Sequence, residues 1–419
     1  MTPEQLLEAI TSHYLRSGDF NGYPLREAGM AREELEPLMA ELVKAELISL
    51  PIGMPHPNPY IKAFRARPIQ VQLDGLIKLS DLTHLTAYPE AKHLETVVPR
   101  DDYAGRPFTL RMALGAGQLE PAFFDLSVLE SYRSDPRYYY YTNDTSGRIS
   151  VSDDYYESEH MREADQVLLE TFGYGFSRAM RRVVCAFHIY LSRLSPEHQQ
   201  IWAARKLEGE YKLHPAYFTS AIVGDFSDKM MIFDAFLEEL AQVRKMCQEA
   251  GLPPLVRSDF QDSRPATFSF LIRPTLKELQ DFHATLDKLM SDNLNKEFFA
   301  CFDIELERET ERPDGKIEVT PKGTVQLLKD WMDELQTEQR DDLNEAIKTF
   351  RDVRELRQRP AHALDDNRFD LDYYDQQRQL ILRAYKAVRL LRLVMANQPS
   401  LADYDGVPDW LDQGQIYDY

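Results

Sequence analysis

Several features are scarce in this sequence of 419 residues, and each scarcity excludes a class of protein. The three cysteines, Cys185, Cys247 and Cys301, form no Cys-x-x-Cys pair, so we expect neither a disulfide framework nor a zinc site. No apolar run approaches the roughly 18 residues of a membrane span, and no charged-then-apolar leader opens the sequence. We therefore expect a cytoplasmic protein without membrane association.

Familiar catalytic motifs are also missing. Gly115-Ala116-Gly117 lacks the lysine that follows the glycines of a phosphate-binding loop, and neither His-Glu-x-x-His nor Gly-x-Ser-x-Gly occurs. His84 and His93 stand isolated. We expect no metal site and no cofactor.

Positive charge is scarce overall but not everywhere. The formal net charge is −20, which argues against a general nucleic-acid binder because neutralising phosphates requires surplus Lys and Arg. The window 348–392 instead carries more basic than acidic residues. A local basic patch on an acidic body fits an enzyme that contacts RNA at one site, and it fits equally well a helix pair whose charges are simply solvated.

That window contains a short run, Arg357-Gln358-Arg359-Pro360-Ala361-His362, between two long helical patterns. Histidine moves protons near neutral pH, and arginine stabilises the charge that builds on a scissile phosphate. The Arg-x4-His spacing carries no weight alone, because 33 arginines and 10 histidines give roughly one match by chance and the chain has two.

The second match joins Arg193 to His198. Ser195 and Pro196 between them are typical of a helix N-cap followed by proline at the first helical position. His198 would then lie in the first turn of an ordinary helix, so a structural role is favoured there.

The first match has a different context. Arg351, Arg354 and Arg357 recur every three residues on a helix predicted over 338–358, and Pro360 predicts a break before another helix over 371–396. With Gln358 as the polar residue, this run resembles the motif of the HEPN family, helical nucleotide-binding and ribonuclease domains of prokaryotic toxin and antiviral systems. The resemblance covers residues 322–400.

The resemblance implies a metal-independent endoribonuclease of a defence or toxin-type system. It assigns Arg357 and His362 as the catalytic pair, and Arg354, Gln358 and Arg359 as RNA-binding residues. It places the site in a cleft between two copies of the chain. The implied partners are RNA, with tRNA as one candidate, a second copy, and a protein partner or activator.

Residues 1–55 have the pattern of a winged-helix-like unit, with helices expected over 3–15, 25–28 and 31–45 and a strand over 46–50. A DNA-reading helix needs basic or amide side chains, whereas 31–45 is rich in glutamate. We therefore expect protein contacts rather than DNA binding. Lys62, Arg65 and Arg67 form a small basic cluster that leaves a weak nucleic-acid contact open.

Residues 60–320 alternate helix and strand patterns. We predict a strand over 107–115, a hairpin of Tyr138–Thr142 with Arg148–Val151, and one long core helix over 163–194. Further along we predict a helix over 275–291 and a strand over 297–309 that pairs with 316–320. Residues 401–419 have the composition of a loosely held acidic tail.

The expected fold is predominantly α, and α+β overall, in four parts. These are the winged-helix-like unit (1–55), a mixed α+β middle region (60–320), a HEPN-like helical bundle (322–400) and the acidic tail (401–419). The alternative function is a non-catalytic interaction or regulatory protein with a helix-turn-helix-like N-terminus. In that interpretation Arg357 and His362 only mark the end of a helix.

Overall fold

The computed structural model describes residues 1–53, 58, 61–62, 66–82, 84–225, 229–311, 313–358 and 366–418. The chain divides into two compact units, Met1–Phe226 and Ser227–Tyr419. It is mixed α+β, with about half of its residues in helices and about 15% in strands. The coarse fold class and the helical C-terminal region are confirmed.

The N-terminal unit contains most of the strands. Its elements are α1 (Pro3–Arg16), β1 (Tyr23–Pro24), α2 (Arg32–Lys44), β2 (Ile48–Ser49), α3 (Ile69–Lys78), β3 (Thr86–Pro89), α4 (Ala91–Val97), α5 (Pro107–Ala113), β4 (Pro121–Phe124), α6 (Glu130–Arg133), β5 (Tyr138–Thr142), β6 (Ser146–Val151), α7 (Asp153–Tyr156), β7 (Leu168–Ser177), β8 (Arg182–Phe187), α8 (His188–Ser192), α9 (Pro196–Ala203), β9 (Tyr211–Leu213) and α10 (Pro215–Phe218).

The first helices of this unit follow from local sequence signals. Thr2 and Gln5 form a reciprocal capping box that starts α1, and Pro3 occupies its first turn. Apolar side chains at helical spacing on α1 and α2 are buried against each other, among them Leu6, Ile10 and Met39. Strands β1, β3 and β2 form a small antiparallel sheet in that order. The helices predicted over 3–15 and 31–45 and the strand within 46–50 are confirmed.

A six-stranded antiparallel sheet forms the rest of the unit, in the order β4-β8-β7-β6-β5 with β9 also on β7. The predicted tyrosine hairpin is confirmed, since Tyr140 pairs with Ile149. Tyr139 and Tyr141 are exposed while Tyr138 and Tyr140 are half-buried, as strand alternation requires. Tyr140 stacks on Phe172 with ring centroids 6.0 Å apart.

The long helix predicted over 163–194 is wrong. This segment contains β7 and β8, joined by a turn in which Met180 has positive φ, followed by the short helix α8. The prediction rested on the apolar content of the segment and not on the spacing of its apolar residues. It also neglected Gly173 and Gly175, although glycine disfavours helix. A side chain at Gly173 would overlap the Tyr217 ring, so the strand depends on glycine there.

Two strand predictions are also corrected. Residues Pro107–Ala113 form helix α5, with proline in its first turn and Phe108, Met112 and Ala113 buried at helical spacing. The strand predicted over 297–309 begins only at Glu307, because the Asn295 side chain caps a helix at Lys296–Ala300.

The C-terminal unit is mainly helical. Its elements are β10 (Met230–Met231), α11 (Ile232–Glu249), α12 (Leu276–Leu289), α13 (Lys296–Ala300), β11 (Glu307–Glu311), β12 (Ile317–Pro321), α14 (Thr324–Asp333), α15 (Arg340–Gln358), α16 (Asp372–Ala396), α17 (Asp409–Asp412) and β13 (Ile416–Tyr417). The helices predicted over 275–291, 338–358 and 371–396 are confirmed, as is the pairing of β11 with β12.

One apolar core holds this unit together. Helix α16 packs on α11 and α15, and α15 packs on α12 and α14. The side chains that fill the space are large and almost inaccessible to solvent, including Phe236, Trp331, Phe350 and Leu391. This packing fixes the C-terminal end of α15 against α12 and thereby positions Arg354 and Arg357.

The C-terminal segment is packed rather than loosely held. Leu401 and Leu411 are buried in the core of the unit, and β13 pairs in parallel with β10. The Arg389 guanidinium donates to the carbonyl of Asp412 at 3.1 Å. The abundance of aspartate led to the wrong prediction, because a few buried leucines outweigh many exposed carboxylates in holding a segment.

Candidate functional site

The candidate site residues lie on the last turns of α15. Arg354 and Arg357 are half-buried, and Gln358, the last residue of the helix, is exposed. Arg359 and His362 lie outside the described residues. The described part of the site therefore consists of the guanidinium groups of Arg354 and Arg357 and of their hydrogen-bond partners.

Two carboxylates hold Arg357. Its Nη1 donates to Asp287 Oδ2 at 2.7 Å and to Asp292 Oδ2 at 2.5 Å. Asp287 belongs to α12, and Asp292 follows that helix after one short turn. Arg354, one turn back on α15, donates to the other oxygen of Asp292, Oδ1, at 3.2 Å.

The two carboxylates differ in exposure. The Asp287 side chain is 0% exposed, whereas those of Asp292, Arg354 and Arg357 are 36–37% exposed. Leaving a fully buried carboxylate without its partner costs about 3–5 kcal/mol, less here because Arg357 is partly solvated. An exposed ion pair contributes only about 0.2–1 kcal/mol. The attachment of Arg357 to Asp287 is therefore the durable one.

The backbone beneath Asp292 is fixed. The neighbouring Asn293 is buried, and its amide bonds Ser258 through both Nδ2 and Oδ1, at 2.8 and 2.9 Å. The Asp292 amide donates to the carbonyl of Asp287 at 3.1 Å. Any movement of the Asp292 carboxylate is consequently a side-chain rotation rather than a loop movement.

Electrostatics keep Arg357 charged. Its hydrogen bonds to Asp287 and Asp292 raise the pKa of Arg357 above the ordinary arginine value. The four charges of Arg354, Arg357, Asp287 and Asp292 sum to zero, so the cluster as it stands has no surplus charge for phosphate. Its arginines have the donors and the partial exposure to bind an oxyanion if a carboxylate gives way.

Reasoning from the sequence missed the acidic half of this cluster. Asp287 lies 70 residues from Arg357 in the chain, and nothing local connects them. The available signal was a carboxylate on the apolar face of α12, beside the buried Leu286 and one turn after the buried His283. A charge at such a position needs a counter-charge on the helix packed against it.

The second Arg-x4-His match has the predicted local structure. The Ser195 side chain caps α9, Pro196 follows at the first helical position, and His198 lies in the first turn. His198 Nδ1 hydrogen-bonds the Tyr132 hydroxyl at 2.8 Å, and burial lowers the pKa of His198. Arg193 bonds Asp19 and Glu170, at 2.8 and 2.5 Å. This histidine and this arginine serve separate contacts.

Of the basic cluster expected after the first 55 residues, the described Lys62 is not available to a ligand. Lys62 is 5% exposed, and its Nζ bonds the Glu90 carboxylate at 2.8 Å. Arg67 donates to the Gly53 carbonyl. Arg65 lies outside the described residues. Lys62 is thus committed to an internal ion pair, which removes it as a phosphate contact.

Comparison with protein-family models, with curated proteins and with solved structures finds no match to this chain. In the described ranges, no helix combines the length and the apolar character that crossing a bilayer requires. The same ranges hold no group of three or more His, Cys, Asp or Glu arranged to hold a metal ion.

Proposed function

We propose that the chain is a HEPN-like, metal-independent endoribonuclease whose site is built on the end of α15. The observation that carries the proposal is the Arg357 guanidinium, charged and partly exposed at the point where α15 gives way to the segment containing His362. The packing of α15 against α12, α14 and α16 supports it, because a small helical bundle around this junction is what the resemblance implies.

The chemistry assigns one task to each residue. His362 takes the proton from a ribose 2′-hydroxyl, and the 2′-oxygen attacks the adjacent phosphorus. The bond from phosphorus to the 5′-oxygen breaks, and that oxygen leaves with a proton. Arg357 stabilises the charge on the crowded phosphate, while Arg354, Gln358 and Arg359 position the RNA backbone. The products carry a 2′,3′-cyclic phosphate and a 5′-hydroxyl.

This chemistry favours a dimer. A single histidine cannot easily reach both the attacking and the leaving oxygen of an in-line displacement. Two chains that bring together two Arg357–His362 pairs provide a base on one side and an acid on the other. The second copy is therefore a proposed partner, along with RNA, for which tRNA is one candidate.

We propose that residues 1–55, within the N-terminal unit, are a winged-helix-like docking module. Helices α1 and α2 pack against each other, and β1 and β2 flank β3 in a small sheet, although α3 intervenes before β3 and β3 lies beyond residue 55. Glu33, Glu34 and Glu41 are exposed on α2, and phosphate would be repelled there. We assign this module to a protein partner or activator of a defence or toxin-type system.

The test uses four proteins with total RNA and tRNA in EDTA: wild type, His362→Ala, Arg357→Ala and Arg193→Ala. Wild type and Arg193→Ala are expected to cleave alike, since the described contacts of Arg193, with Asp19, Glu170 and the Tyr190 ring, all lie in the N-terminal unit. His362→Ala and Arg357→Ala should lose at least about 100-fold in rate, the typical scale for general acid–base and oxyanion groups. Equal cleavage by all four, or none by wild type, contradicts the proposal.

The alternative is a non-catalytic interaction protein, and one observation favours it. Both hydrogen bonds of Arg357 to described residues go to carboxylates of its own chain, as expected of a tie between α15 and α12. In that case Arg357→Ala lowers the thermal unfolding midpoint and leaves every activity of the chain intact. Because removing Arg357 leaves the buried Asp287 without its partner, a lower midpoint is expected in either case. An Arg357→Ala variant that is folded at the assay temperature and has lost cleavage removes this alternative.

A further inference from the structure

The Arg357 guanidinium has two anionic partners that are not equivalent. It bonds Asp287, which is fully buried, and Asp292, which is about as exposed as Arg357 itself. Among the described residues, Asp287 Oδ1 has no hydrogen bond, so Asp287 depends on Arg357 for its compensation. Withdrawing Arg357 from Asp287 is far more costly than withdrawing it from Asp292.

Asp292 also resembles a bound phosphate in how it is held. Its Oδ2 accepts from Arg357 at 2.5 Å and its Oδ1 accepts from Arg354 at 3.2 Å. A phosphate spans two guanidinium groups in the same way, with a separate non-bridging oxygen on each. Asp292 therefore occupies the position that the RNA backbone needs in the proposed function.

We propose that Asp292 is a displaceable counter-ion that masks the RNA-binding side of Arg357, while Asp287 keeps the same guanidinium in place. This inference rests on the proposed function and gives its site a built-in control. RNA has to displace the Asp292 carboxylate by side-chain rotation, because Asn293 anchors the backbone beneath it. Displacement leaves Arg354 and Arg357 with one surplus positive charge, which the phosphate neutralises.

The experiment measures binding of a short RNA with 2′-O-methyl groups on every sugar, which cannot cyclise and so stays intact. Fluorescence anisotropy of the full chain is compared for wild type, Asp292→Asn, Asp352→Asn and Arg357→Ala. Asp352 is the matched control, since it lies on α15 and makes an exposed ion pair with Arg383 at 2.8 Å. Both Asp-to-Asn changes remove one negative charge.

Asp292→Asn should bind roughly two- to fivefold more tightly, the scale of one exposed ion pair. Its plot of log affinity against log salt should be steeper by about 0.7, as for one added phosphate contact on a single strand. Asp352→Asn should change binding less, and Arg357→Ala should weaken it. A cooperative thermal unfolding transition shows that each variant is folded. If Asp292→Asn does not fold, Asp292→Ser is used in its place.

The outcomes separate the two proposals. If Arg357→Ala weakens binding but Asp292→Asn binds no more tightly than Asp352→Asn, masking is overturned and the RNA site stands. If Arg357→Ala binds as wild type does, or wild type binds no RNA, the proposed function is overturned and masking with it.

Discussion

The two units solve the problem of buried polar groups differently. The N-terminal unit buries His188, His198 and His214 inside a β-sheet core, where burial lowers the pKa of each below the ordinary histidine value. The C-terminal unit buries a full ion pair between α16 and α11, in which Arg392 Nε donates to Glu239 Oε2 at 2.5 Å. A buried neutral group is tolerated when it is hydrogen-bonded, whereas a buried charge requires a counter-charge at a fixed distance and therefore fixes the position of its partner.

This difference bears on the candidate site. Arg357 and Asp287 are a partly exposed version of the pairing that Arg392 and Glu239 make in the core. The C-terminal unit thus uses arginine–carboxylate pairs between helices both for internal packing and at the end of α15. Three measurements test whether the two units differ in this way.

The largest effect is expected from Arg392→Ala. It leaves Glu239 buried without its counter-charge, although the Tyr385 hydroxyl still donates to it, and this should cost about 3–5 kcal/mol in the free energy of unfolding. Arg383→Ala is the matched control on the same helix, because its exposed pair with Asp352 contributes under about 1 kcal/mol. Denaturant titration measures the free energy of unfolding of both variants. Equal decreases in the two variants would mean that burial of the ion pair does not determine its contribution to stability.

Acidification should act on the N-terminal unit through its histidines. Burial lowers the pKa of His188 to about 3 and that of His214 to about 4. The unfolded chain therefore takes up more protons than the folded one below about pH 6.5, and stability falls as the pH falls. Each of these histidines should cost about 2 kcal/mol at pH 5 relative to pH 7.

The loss of stability between pH 7 and pH 5 can be located by peptide-resolved hydrogen exchange. The exchange is measured across a denaturant series at each pH. Protection should fall in β7 and β8 more than in α11 and α16. His188→Phe, which places an apolar ring beside Phe108, should remove the His188 share of the pH dependence. An equal loss in both units would rule out the histidines as its source.

The smallest effect is expected from Ser195→Ala. The Ser195 side chain accepts from the backbone of His198 and starts α9, which also carries the buried Trp202. Losing this cap should cost about 1 kcal/mol, detectable as a lower midpoint for the N-terminal unit alone. Ser195→Asn keeps a capping oxygen and should restore most of that loss, which a purely steric defect would not allow.

Helices that are marked by local sequence signals, such as caps and amphipathic patterns, were predictable from the sequence. The capping box at Thr2, the Ser195-Pro196 cap and the long amphipathic patterns of α15 and α16 each fixed a helix within a few residues. Such signals need no knowledge of tertiary contacts. They also placed Arg357 correctly in the last turn of its helix.

Elements set by tertiary contacts were not predictable in this way. The pair β7 and β8 was predicted as one apolar helix. Gly173 and Gly175 were signals against a helix, but only the sheet and the ring of Tyr217 show why residue 173 has to be glycine. The partners of Arg357 were only partly predictable. The position of Asp287 on the apolar face of α12 indicated that it needs a counter-charge, but only the packing of α12 on α15 identifies Arg357 as that counter-charge.

The chemical end left on cleaved RNA shows whether the chain cleaves by the proposed metal-independent reaction. Wild-type protein with EDTA should yield fragments ending in a 2′,3′-cyclic phosphate, read by mass spectrometry, because the 2′-oxygen of the substrate is the nucleophile. Fragments that end in a 3′-hydroxyl, or cleavage that appears only when a divalent cation is added, would contradict a site built from Arg357 and His362.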